Sequence, residues 1–113
     1  MTGFNFNLKD DNLILGINSP KCSIGGPYVV VFKNIEERWA IVAMDWDDEP
    51  RLGIRWFWKN AGNPFSSSHP TWFVIPSQLN NSILNELPLD HTFKMKIGKF
   101  LTGDIKGNEL FDS

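Results

Sequence analysis

Hydrophobic positions along this chain fall into short runs separated by polar breaks, and most of the runs carry the period of strands. Tyr28 to Phe32, YVVVF, is apolar throughout and rich in β-branched residues, which predicts a central strand. Asn34 to Arg38 is a charged turn, and Trp39 to Trp46, WAIVAMDW, is again apolar on both parities. After a turn at Asp47 to Pro50, the stretch Arg51 to Lys59 alternates. Leu52, Ile54, Trp56 and Trp58 share one face, and Gly53, Arg55, Phe57 and Lys59 the other. Three strands joined by short turns predict an antiparallel meander. Thr71 to Ile75, TWFVI, reads as a further strand stopped by Pro76.

The flanks are read from shorter signals. Phe4, Phe6 and Leu8 alternate with Asn5 and Asn7, and Asn12 to Ile17 is a short apolar run; both suit strands. Gly25-Gly26-Pro27 marks a break ahead of the YVVVF strand. A helix is predicted over 77–87, with Ser77 as N-cap, Leu79, Ile83, Leu84 and Leu87 at helical spacing, and Pro88 as its stop. Phe93, Met95 and Ile97 alternate with lysines and predict a last strand, and Lys106-Gly107-Asn108 suggests a final hairpin. The expected fold class is α+β. It is one domain, 1–113, with a mostly antiparallel sheet of five to seven strands and the 77–87 helix packed on a face.

Composition narrows the function classes. Hydrophobic residues make up 42% and charged residues 21% of 113, which is enough apolar surface to build a core. Five Trp and nine Phe are the deviation, and base rates assign most of them to that core. The formal net charge of −2 provides no basic footprint for nucleic acid. The single Cys22 rules out an internal disulfide and a four-ligand cysteine zinc site. No apolar run approaches the ~20 residues that span a bilayer, and MTGFNFNLKD has no secretory signal pattern. The expectation is a soluble cytoplasmic protein, with no nucleic-acid or membrane partner and no cofactor.

Catalytic patterns find little support. Ser66, Ser67, Ser68 and His69 adjoin in the 60–70 loop, but neighbours in an extended loop point apart, so their adjacency is not a nucleophile–base pair. A hydrolase acting through His69 or His91 would need a convergence that spacing does not imply. Gly25-Gly26 precedes a strand rather than a helix, unlike a phosphate cradle. Asp45, Asp47, Asp48 and Glu49 form the densest charge cluster, but without the glycine and offsets of a calcium loop they predict no metal. They read instead as a turn and an acidic patch that would steer a positively charged partner. Arg51 and Arg55, on one strand face, are expected to pair with Asp47 or Glu49 across the hairpin.

The segment from Ile54 to Pro76, IRWFWKNAGNPFSSSHPTWFVIP, holds three of the five Trp around a polar loop. With EPRLG before it and the QLNNSILNEL helix after it, residues 49–87 resemble small uncharacterised bacterial proteins carried on mobile elements such as integron cassettes. That resemblance implies no activity and no site residues. In size and acidity the chain also resembles the immunity proteins that bacteria make against toxins. The reading is a non-enzymatic binding protein: an immunity or antitoxin protein that covers the active site of a basic protein toxin, with a nuclease as the leading case. Its expected contact residues are Asp45, Asp47, Asp48, Glu49, Trp58, Phe65, His69 and Trp72. The alternative is a small-ligand or regulatory domain with a pocket between sheet and helix lined by Trp56, Trp58 and Trp72.

Overall fold

The structure, a computed structural model, describes residues 7–57 and 62–111. Its framework is the expected α+β arrangement around an antiparallel meander. Strands β1 (Ile24–Asn34), β2 (Trp39–Trp46) and β3 (Glu49–Trp56) pair in sequence. The two-residue strands β4 (Phe65–Ser66) and β5 (His69–Pro70) form a separate hairpin. Strand β6 (Phe73–Val74) adds to β3 to give, among the described residues, a four-stranded sheet in the order β1-β2-β3-β6, against the expected five to seven. Gly25-Gly26-Pro27 does not end β1. The strand runs through it with a register shift between Gly25 and Val29, because a bulge absorbs residues that cannot keep the ladder.

Two segments expected as strands are helices. Helix α1 (Asp11–Leu15) replaces the strand over 12–17, and its N-cap Asp10 accepts a hydrogen bond from the Asn12 amide at 3.0 Å. The apolar run there is too short to show a period, while Asp10 carries the start signal. Helix α3 (His91–Leu101) replaces the 93–97 strand, capped by Asp90 through the amides of Thr92 and Phe93. Phe93, Ile97, Phe100 and Leu101 lie at helical spacing, and Met95, read as an inward strand position, is 51% exposed. The 77–87 helix is a 3-10 turn (Ser77–Leu79) followed by α2 (Asn80–Glu86), and the Ser77 side chain caps neither. The expected hairpin near 106–108 is a 3-10 helix over Gly107–Phe111. Phe4 and Phe6 lie outside the described residues.

The helices cover both faces of the sheet. On one face Val31, Ile41, Ala43 and Leu52 pack with Ile75, Leu84, Ile97 and Phe100, beneath α2 and α3. On the other, Ala40, Val42, Met44 and Phe57 pack with Leu8, Ile14 and Trp72. Fully buried side chains of this size contribute ~1.5–3 kcal/mol each, so both faces stabilise the sheet. Lys33 ties α1 to β1 by donating to the Leu8 carbonyl at 2.9 Å and pairing with Asp11 at 2.7 Å.

Arg55 corrects the expected hairpin pairing. It is 1% exposed, and its Nη1 donates to the carbonyls of Pro64 (2.6 Å) and Thr71 (2.8 Å). The guanidinium lies over the rings of Phe57 and Phe65, at 5.2 and 5.6 Å. Burial pushes its pKa down to about 10, so it stays protonated at neutral pH. Arg51 makes no ion pair with the hairpin acids among the described residues.

Candidate interaction surface

The acidic turn is a two-residue hairpin closed by the Trp46–Glu49 pair. Its central residues Asp47 and Asp48 have φ of 51° and 67°. A turn with both central residues left-handed matches the twist of the strands it joins, and Asp tolerates that backbone better than most residues. The Asp47 amide also donates to the Ser23 carbonyl at 2.7 Å, which braces the turn against the start of β1. Asp47, Asp48 and Glu49 are exposed and make no ion pair among the described residues.

Asp45 points away from the turn, to the face of the sheet that carries α3. There the Tyr28 hydroxyl donates to its Oδ2 at 2.6 Å. The Tyr28 ring stands edge-on to Phe100, with centroids 5.8 Å apart, and edge-on to Phe111 at 6.4 Å. Glycines make room for this pair. A Cβ on Gly107 would run into the Tyr28 ring, and one on Gly25 would lie 3.1 Å from its hydroxyl and 3.2 Å from the Asp45 carboxylate. Tyr28, Asp45, Asp48, Phe100, Ile105 and Gly107 line a cleft of about 510 Å³ beside the hairpin. Comparisons with protein-family models, with curated proteins and with solved structures return no match.

Burial raises the Tyr28 pKa from 10.0 to about 12, reinforced by the hydrogen bond to Asp45 and the charges of Asp45 and Asp48. The folded value lies above the unfolded one, so this group's stabilisation is complete below pH 10.0 and is lost as pH rises to about 12. Tyr28 is the only tyrosine of the chain, which makes the titration clean. In an alkaline titration followed by tyrosinate absorbance, the midpoint should fall near 12, and Asp45→Asn should bring it part of the way back. A wild-type midpoint at the ordinary value of about 10 would mean that this hydroxyl does not face a carboxylate.

The remaining expected contact residues fall elsewhere. Phe65 and His69 lie on the β4–β5 hairpin, where Ser67 and Ser68 are left-handed at φ 50° and 70°. Phe65 is 45% exposed, and His69 Nδ1 lies 3.0 Å from the Ser67 carbonyl oxygen. This hairpin sits at the far end of β3 from the acidic turn, on the order of 20 Å away at the usual rise per strand residue. Trp72 is no surface anchor. It is 2% exposed and donates its indole N–H to the Ile17 carbonyl at 2.6 Å. Trp58 lies outside the described residues.

The proposed tryptophan pocket is also corrected. Trp56 follows Ile54 on the α2–α3 face and is 38% exposed, whereas Trp72 packs with Phe57 on the opposite face. Tyr28 escaped the sequence reading. One signal was present: a single tyrosine hydroxyl inside an apolar strand needs a polar partner. Its packing against Gly107 and Phe100 had no local trace.

Proposed function

We propose that the chain is a non-enzymatic binding protein that neutralises a basic protein toxin, with a nuclease as the leading case, by laying its acidic β2–β3 hairpin over the toxin's active site. The observation that carries this reading is the fixed presentation of charge. Asp47 and Asp48 sit in a braced left-handed turn, exposed and unpaired among the described residues. A preorganised turn loses little conformational freedom on docking, so more of the contact energy appears as affinity. Nuclease clefts are basic because they hold phosphates, and carboxylates carried on a braced turn complement that surface and speed encounter. Among the described residues, no helix is long and apolar enough to cross a membrane.

The test is capture from the native host with two baits, the wild-type chain and the charge-neutral variant Asp47→Asn, Asp48→Asn, Glu49→Gln. A basic protein held by the wild type and released by the neutral variant is the expected result. A partner held equally by both baits, or an acidic partner, would sink the reading.

A further inference from the structure

The cleft between the sheet and α3 has a composition that the hairpin alone does not explain. We propose that it is a slot for a guanidinium group, filled by an arginine side chain of the basic partner; this rests on the reading that such a partner docks on the acidic hairpin. Position supports it first. Asp48 belongs both to the turn and to the wall of the cleft, so a protein covering the turn also covers the mouth of the slot.

The free valences match a planar donor. Asp45 uses Oδ2 to accept from Tyr28, while its Oδ1 and both Asp48 oxygens accept nothing among the described residues. A guanidinium offers a rigid fork of N–H donors that two carboxylates can share. The same group is weakly hydrated and packs its faces on apolar and aromatic walls, which Tyr28, Phe100, Ile105 and Pro50 provide here. A lysine ammonium, compact and strongly hydrated, gains less from those walls. A metal ion is a poorer match, since no group of three His, Cys, Asp or Glu among the described residues could hold one.

The slot is built before anything enters it. Gly25 and Gly107 leave the space in which Tyr28 and Asp45 meet, so the ring wall and the carboxylate hold their relative position. At about 510 Å³ it has room for the side chain with its water. Among the described residues that line it, Lys106 is the one cation, and it partly offsets the charge of Asp45 and Asp48.

The experiment is a titration of the isotope-labelled full chain with Nα-acetyl-arginine amide at low salt, followed by amide resonances. The signals of Gly25 and Gly107, and of Gly103 and Asn108, which also line the cleft, should move together and saturate with a Kd of about 1 mM or weaker. The neutral isostere Nα-acetyl-citrulline amide should move none of them. Asp48→Asn keeps a residue suited to the left-handed turn and should weaken the probe several-fold without loss of spectral dispersion; Asp45→Asn should weaken it further. Lys106→Met should tighten it.

Static cleft signals, equal response to citrulline, or full binding by a chain carrying both Asp45→Asn and Asp48→Asn would each overturn the slot. The two readings fail separately. If the neutral hairpin variant loses its basic partner while the arginine probe leaves the cleft unmoved, the slot falls and the hairpin reading stands. If the probe binds as described and no partner depends on the hairpin, the toxin reading falls and the guanidinium site stands.

Discussion

Replacing Arg55 by Met should lower stability by about 2–4 kcal/mol, the range for charged hydrogen bonds lost inside a protein, and lower the melting temperature by roughly 10 °C. The guanidinium holds two segments of the chain together. It is buried, it donates to the carbonyls of Pro64 and Thr71, and it lies over the rings of Phe57, just past β3, and Phe65 on β4. Met keeps the apolar stem, so the loss reports on the charged head and the space it fills. The Pro64 carbonyl would retain the Thr71 amide at 3.1 Å, but the bond that Arg55 makes to the Thr71 carbonyl would go. The β4–β5 hairpin should then loosen first, read as faster amide exchange over 64–71 than in the sheet. Arg55→Lys should fall between the two, because an ammonium keeps the charge without the planar fork. A melting curve for Arg55→Met that overlays the wild type would show that the buried guanidinium is incidental to the fold.

Reversing the hairpin charge, with Asp47, Asp48 and Glu49 all changed to Lys, should slow association with the proposed basic partner by roughly 10–100-fold at low salt. The reason is long-range. Exposed charges act on the encounter over about one Debye length, ~10 Å at 0.1 M salt, so the wild-type rate should fall steeply with added salt and the variant's should not. Dissociation should change less than association for residues at the rim of a contact. Two of these lysines would occupy left-handed turn positions, where ordinary side chains are strained. The Asn, Asn, Gln variant separates the effects, since it keeps residues that suit the turn while removing the charge. Stopped-flow traces that are equal for wild type and Lys variant at both salt concentrations would remove the hairpin from the encounter surface.

The two hairpins show how far local pattern reaches. WAIVAMDW matches β2 residue for residue, since a run apolar on both parities and bounded by charged turns has few other uses. The face division of β3 also follows its alternation: Leu52 and Ile54 lie towards α2 and α3, and Arg55 and Phe57 lie opposite. Charge pattern misleads at Arg55, which looks like a surface partner for Asp47. Its parity with Phe57 placed it inside, and only the fold of 64–71 back over that face supplies carbonyls to satisfy it. Likewise Trp72, chosen as an aromatic anchor, is core, because α1 folds onto its face and the Ile17 carbonyl takes its N–H.

By itself the sequence determined the meander, its turns and the acidic tip, because these depend on strand period and turn chemistry within a few residues. Tertiary structure decided the rest. Asn12–Ile17 and Phe93–Ile97 are too short for their apolar positions to separate a helix from a strand, and packing on the sheet settles both as helix. The Tyr28–Asp45 cleft was beyond any local reading, since its parts come from β1, β2, α3 and the Gly107–Phe111 turn. They become neighbours only when the last helices close over one face of the sheet.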